Sequence, residues 1–475
     1  SGSPQSALII HAGHMTSVQE VNPAVRRIRA PTRLQDLAIP ITDEILQRLK
    51  TEPLCACHHC ALSQVLAACM YPKLLEEKSL PLDVRQRAQK LLGACGGGSV
   101  GSYSATPTGI PLVHKSIAEF IERRDCGVSS HQDHIILSSG FEKILWMVLH
   151  LMSNGEGQTQ TGLLTPVPCP QTVPMLLDVS WLTMVPYQLK EDRGWALDLD
   201  ELRQALETGR RHCEPRAIFI SNPGNPTGHV QDRETIEEVI NFAATEGLVL
   251  LVEEVDQESV FGQDKEFFSY KQVLFEMGQK YSEMVELISF NALSGAKMGE
   301  CGLRGGYMEV INMDPAVKTY LRNMQATSTP PVLPQLALEV MVNPPSLGDP
   351  SYETYTNIVR TQTTLSQNAH RACEFLNELP GMSCQPAMAG TFLYPHLNLP
   401  PQMIEKAKTL GVEADVLYCQ KLLEEEGVCL GPGCENGQDD QNYHIRLSFL
   451  VPPVILEDLL LHLRSFHLRL LEKFP

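Results

Sequence analysis

Downstream of His134 the chain alternates two hydrophobic patterns. Short continuous apolar runs give way to stretches whose apolar residues recur every three to four positions. "HIILSSG" (134–140) is an apolar run closing on a glycine, and behind it Ile144, Leu145, Val148 and Leu151 fall on one side of a helix. "RAIFISNPGNPTG" (216–228) is a strand running into a Pro/Gly/Asn turn. "RETIEEVINFAATEG" (233–247) has helical spacing at Ile236, Val239, Ile240 and Ala243 and stops at Gly247. "LVLLVEEV" (248–255) is then a continuous apolar strand of the kind buried on both faces. Strand, helix and strand with short joins make a βαβ unit, and several in series predict an α/β domain with a mostly parallel sheet flanked by helices. In such sheets ligands sit beyond the carboxyl ends of the strands, so the polar residues just after each strand are the candidates for chemistry.

The pattern changes after "EVMVNPPSLGDPSYE" (339–353), a Pro/Gly-rich stretch that marks a boundary near Asn343–Pro350. Beyond it, helical patterns alternate with short strands such as "NYHIRLSFLV" (442–451). The chain closes on a helix with Leu459, Leu463, Phe466 and Leu470 spaced by three and four. A chain of 475 residues exceeds one ordinary core. The expected organisation is a tail over 1–20, an N-terminal segment over 21–90 belonging partly to the smaller domain, a large domain over 91–345, and a smaller α+β domain over 346–475. There is no internal repeat and no low-complexity tract.

Composition narrows the partners. The residues are 43% apolar and 20% charged, ordinary for a globular protein. The formal net charge of −18 argues against non-specific nucleic-acid or anionic-membrane binding, which needs a basic face. No apolar run reaches the roughly 18 residues a membrane-spanning helix needs. The opening "SGSPQSALIIHAGHMTS" lacks the basic and long apolar regions of a signal peptide. Fourteen scattered cysteines fit a reducing, cytoplasmic setting rather than a disulfide framework. "CACHHC" (Cys55–Cys60) has the thiols and imidazoles to hold a soft metal. No second Cys/His pair follows at zinc-finger spacing, which favours a Cys/His-rich loop.

The most specific chemical signal is "SNPGNPTG" (221–228). A helix later comes a strand ending in Glu253 and Glu254, and further on "GECGLRGGY" with Arg304. That order resembles the fold-type-I pyridoxal-phosphate aminotransferases. "NPAVRR", "AEFIERRD", "WALDLDELRQAL", "VLFEMGQKYS", "MGECGLRGGYMEVINMDP" and "YHIRLSFLVPP" look like the alanine aminotransferases among them, from about Val21 to the C-terminus. The resemblance implies a large central domain with a smaller α+β domain and pyridoxal phosphate as cofactor. It also implies a small amino acid or 2-oxo acid as ligand. A dimer is expected, either of like chains or with an active relative. The resemblance assigns Asn225 to the cofactor's phenolic oxygen, Glu253 to its pyridine nitrogen, and Gly140 and Arg304 to its phosphate. Tyr103, in "GSYSATPTG", matches the tyrosine that reaches a neighbouring subunit's phosphate, in a loop one residue longer than the family's. Arg446 matches the arginine that binds the substrate carboxylate.

The departures fall on the same site. The family's "STSKGYMGECG" reads "ALSGAKMGECG" here, and the matching text on either side fixes the register, so Gly295 stands where the Schiff-base lysine is expected. Glu253 replaces an aspartate, Asp256 a tyrosine donor, and Pro170 the ring-stacking tyrosine. Phe141–Glu142 stand in for the small phosphate-binding pair. "LKTEPLCACHHCALSQV" (49–65) is too short to carry the family's "NIGDA" contact. Lys297, two residues on, is the alternative amine: two residues span up to about 7 Å, but a misplacement of about 1 Å can cost roughly a hundredfold. Asn225 can equally satisfy the turn backbone, and Arg304 and Arg446 can equally serve as partners for buried acids such as Glu142 and Glu253. Two functions follow: a catalytically impaired relative acting by binding, or a working transaminase moving an amino group between L-alanine and 2-oxoglutarate.

Overall fold

The apolar runs become the strands of one seven-stranded sheet in the computed structural model, which describes residues 60–104, 106–295, 298–438 and 442–474. The strands are β1 (Ile135–Ser138), β2 (Thr161–Val167), β3 (Thr183–Gln188), β4 (Glu214–Ser221), β5 (Val249–Glu253), β6 (Leu287–Ala292) and β7 (Gly306–Ile311). Their spatial order is β1-β7-β6-β5-β4-β2-β3. All neighbours are parallel except β7, which runs antiparallel to both β6 and β1. The reversal has a local cause: β6 and β7 are joined through the turn at Cys301–Leu303, without the crossover helix that a parallel pair requires.

Burial on both faces accounts for the unbroken apolar strands. Along β5, Leu250 and Val252 enter one core with Ile236, Val239 and Ile240 of the helix Arg233–Glu246. Leu251 enters the opposite core with Ile144, Leu145 and Val148 of the helix Phe141–Met152. The helix Arg233–Glu246 starts where Asp232 accepts the Thr235 N–H at 2.9 Å and stops at Gly247, as its sequence signals require. The helices Cys60–Met70, Leu82–Ala94, Pro111–Arg124 and Val332–Val342 form a further layer whose core reaches Ile135 and Leu137 of β1.

Residues from Leu365 to Phe474 build a separate core around the helices Tyr352–Asn377, Pro401–Leu410, Ala414–Glu426 and Pro453–Lys473. Short strands β8 (Met382–Ser383), β9 (Phe392–Leu393), β10 (His396–Leu397), β11 (Gly431–Pro432) and β12 (Ile445–Ser448) complete it. Leu463, Phe466 and Leu470 are buried there on the closing helix.

One buried ion pair ties the helix Tyr270–Glu276 to the sheet: Lys271, fully buried, donates to Glu309 on β7 at 2.8 Å. Among the described residues eleven cysteines are free, no group of side chains is arranged to hold a metal, and no helix is long and apolar enough to cross a membrane. The Cys55–Cys60 cluster lies outside the described residues but for the backbone of Cys60, which opens a helix.

Candidate active site

The sheet brings five predicted positions to one edge. Gly140 follows β1, Ser221 ends β4 ahead of Asn225, Glu253 ends β5, Gly295 lies just past β6, and Arg304 lies just before β7. Antiparallel β7 is what recruits Arg304: its first residue, Gly306, pairs with both Ala292 and Ser138, so Arg304 arrives at the head of the helix Phe141–Met152.

At Gly295 the backbone has closed over the position. A Cβ there would lie 2.4 Å from the carbonyl oxygen of Val255, far inside van der Waals contact. That carbonyl sits on a pinned segment. The Glu254 N–H donates to Phe290 O at 2.9 Å, the Asn222 N–H to Glu253 O at 2.9 Å, and the Val255 N–H to the Glu253 carboxyl at 3.1 Å. Lys297, the alternative amine, lies outside the described residues.

The residues that the resemblance assigns to a phosphate are engaged with the chain itself. Arg304 donates to the Glu142 carboxylate, which projects from the first turn of the helix Phe141–Met152. Gly140 precedes that helix with φ 98°, and a Cβ there would lie 2.7 Å from Arg304 Nη2. Only glycine permits both that backbone angle and that approach. Phe141 turns into the core instead, edge-on to Phe290 at 5.8 Å between ring centres.

Glu253 is buried, and its carboxyl is pushed up to about 8, first by desolvation and then by the neighbouring acid Asp256. The Ser221 hydroxyl opposes this shift: its Oγ donates to the Glu253 carboxyl and to Pro223 O at 3.1 Å, and accepts the Asn225 N–H at 3.1 Å. Glu253 therefore pairs with Ser221, not with an arginine as its sequence also allowed. Asp256 accepts from Ser259 Oγ at 3.2 Å. Among the described residues the buried Asn225 side-chain oxygen has no hydrogen-bond partner, so the turn backbone does not absorb it.

Arg446, on β12, lies 4.8 Å over the Phe392 ring and donates to Gln171 at 3.3 Å. Among the described residues no carboxylate forms an ion pair with it. Gln171 follows Pro170, and this turn is clamped by Asn436, whose amide donates to Cys169 O at 2.8 Å while Asn436 O accepts the Cys169 N–H at 3.0 Å. Tyr103 stands 91% exposed, away from this cluster's hydrogen bonds.

These residues do not fit pyridoxal phosphate. Position 295 has neither an amine nor room for a Cβ, the arginine that the resemblance assigns to its phosphate holds a carboxylate, and the acid that it assigns to the ring nitrogen is engaged with Ser221. Sequence reasoning missed Ser221, Val255, Gln171 and Asn436. The signal for Ser221 was available, since it directly precedes the NPGNPTG turn; the Val255 carbonyl is backbone and leaves none.

The family model described as aminotransferase class I and II matches residues 69–461. Alanine aminotransferase 2 of Xenopus tropicalis is 44% identical, over 87% of this chain and 79% of that protein. Human alanine aminotransferase 1 is 41% identical, over 94% of this chain and 93% of that one. Among solved structures, an alanine aminotransferase from Pyrococcus furiosus superposes with a TM-score of 0.66 at 19% identity, over 89% of this chain and 99% of that chain. An aminotransferase from Escherichia coli does so with 0.64 at 21% identity, over 88% and 96%.

Proposed function

The chain belongs to the class I and II aminotransferase family and is alanine-aminotransferase-like within it; from that premise we propose that it does not run transamination through a lysine-bound cofactor. The observation that carries this reading is the closure of Val255 O over Gly295, 2.4 Å from where a Cβ would sit. Transamination through pyridoxal phosphate needs an amine that both holds the cofactor and moves the substrate's α-proton, placed within near-attack distance. A lost side chain alone would leave a vacancy that a neighbour could fill. Here the backbone occupies that place.

What remains is a binding site without its chemistry. Arg446 keeps a guanidinium that, among the described residues, forms no close ion pair, with Glu435 acting on it only electrostatically, and Asn225 keeps a buried acceptor, so a small amino acid or 2-oxo acid remains the ligand class of choice. The same reading has the chain paired, with a like copy or an active relative, because Tyr103 stands almost wholly exposed where the family sends a tyrosine to its neighbour. Free thiols throughout the described residues support a reducing, cytoplasmic location. The second reading, an active L-alanine:2-oxoglutarate transaminase with Lys297 as amine, draws on the retained Arg446 and Asn225. The deciding assay supplies purified protein with pyridoxal phosphate, L-alanine and 2-oxoglutarate and measures pyruvate. No pyruvate above the protein-free rate is expected, and turnover that disappears with Lys297→Ala supports the second reading instead.

A further inference from the structure

We propose that Glu142 is a built-in ligand: its carboxylate sits on Arg304 at the head of the helix Phe141–Met152, in the place of an external anion, and keeps phosphate-bearing molecules out. The proposal rests on the reading of this edge as a disabled cofactor site, but on different residues from those at position 295.

Three features of the geometry converge on this assignment. The helix Phe141–Met152 begins without a side-chain cap, so its first N–H groups present the positive end of the helix dipole to whatever lies in front. Arg304 reaches the same spot from the opposite side of β7's entry and is admitted only because residue 140 is glycine. A cation brought onto a helix N-terminus concentrates positive charge and would ordinarily draw a free anion. Glu142 supplies that anion from within the first turn. Arg304 and Glu142 are 47% and 38% exposed, so the pair lies at the rim, where a dissolved anion would have to compete with it.

The competition is one-sided. A tethered carboxylate acts at an effective concentration of at least millimolar order. An incoming phosphate must displace it and then meet its charge at close range. Removing the carboxylate's charge reverses both terms. Glu142→Gln keeps the shape and the helix, loses the anion, and leaves Arg304 with a neutral partner.

The test titrates inorganic phosphate, at constant ionic strength, into the parent protein, Glu142→Gln and the double variant Glu142→Gln/Arg304→Gln, reading the thermal midpoint and the ³¹P linewidth. Glu142→Ala is carried alongside. The expected result is a phosphate-dependent rise in midpoint and line broadening for both single variants, with an apparent affinity at least about tenfold above the parent's, and no response from the double variant. An ordinary surface salt bridge gives a different outcome: Glu142→Gln shifts the midpoint slightly at every phosphate concentration and gains no phosphate dependence. That result overturns the proposal, as does a parent protein that binds phosphate as well as Glu142→Gln. The reading at position 295 is scored separately on the same proteins, incubated with pyridoxal phosphate and reduced with borohydride: a covalent adduct in the parent would sink that reading and leave a gain of inorganic-phosphate binding in Glu142→Gln intact.

Discussion

Gly295→Ala adds a single methyl group and tests how firmly the backbone has closed. An unstrained carbon–oxygen approach is about 3.3 Å, whereas the new Cβ would start 2.4 Å from the Val255 carbonyl oxygen. Either the loop or the carbonyl must therefore withdraw by nearly an ångström. The carbonyl side is held by the Glu254 N–H to Phe290 O and Val255 N–H to Glu253 hydrogen bonds, so yielding there breaks buried contacts. Forced overpacking of this kind costs roughly 1–3 kcal/mol. The opposing effect, loss of glycine's freedom in the unfolded chain, contributes only about 0.4–1 kcal/mol, so the clash wins. The net loss of roughly 1–2 kcal/mol corresponds, in a chain of this length, to a thermal midpoint lower by about 1–2 °C, read by circular dichroism. Gly295→Lys carries the same Cβ and should lose at least as much, with no aldimine absorbance when pyridoxal phosphate is added. A Gly295→Ala protein as stable as the parent would refute the reasoning, because the carbonyl would then be free to move aside for a side chain.

Other perturbations read the neighbouring network. Burial pushes Glu253 up to about 8 and Glu254 up to about 7, above an unfolded value of 4.5. The folded state then holds protons that the unfolded chain gives up. Stability contributed by these acids is present below pH 4.5 and is lost as pH rises towards 7 and 8. Each contributes a slope of up to about 1.4 kcal/mol per pH unit, so urea midpoints should fall between pH 5 and 8, and less steeply in Glu253→Gln. Lys271→Met leaves Glu309 buried without its cation and should destabilise by about 3–5 kcal/mol, measured by denaturant unfolding. Asn436→Ala strands Cys169 O in the core and should cost about 1–3 kcal/mol, while loosening the turn that carries Gln171 and so Arg446.

The parts of this site legible in the sequence are those fixed by local chemistry and register. NPGNPTG after an apolar run places Asn225 at a strand's end, and the flanking "MGECG" places Gly295 without needing coordinates. Continuous apolar strands gave away a sheet covered on both faces, which the two cores around β5 explain. Pairing across the sheet was only half legible. Glu142 and Glu253 were both open partners for Arg304 and Arg446, and the antiparallel entry of β7 decides for Glu142 by delivering Arg304 to the head of its helix. Glu253 goes to Ser221 because β4 and β5 are adjacent and in register, Ser221 opposite Glu253. The clamp between Asn436 and Cys169 joins residues 267 positions apart. The closure at Val255 is made by a carbonyl, which every residue carries, so no side-chain pattern could announce it.

The central claim is that no primary amine of this chain meets the aldehyde carbon of pyridoxal phosphate at the carboxyl edge of the sheet. Incubation with the cofactor, reduction with borohydride and peptide mapping by mass spectrometry measure this directly. The expected result is no stoichiometric pyridoxyl group on the loop between β6 and β7. Stoichiometric labelling there, on Lys297 above all, would contradict the claim and make the chain a working transaminase with a relocated lysine.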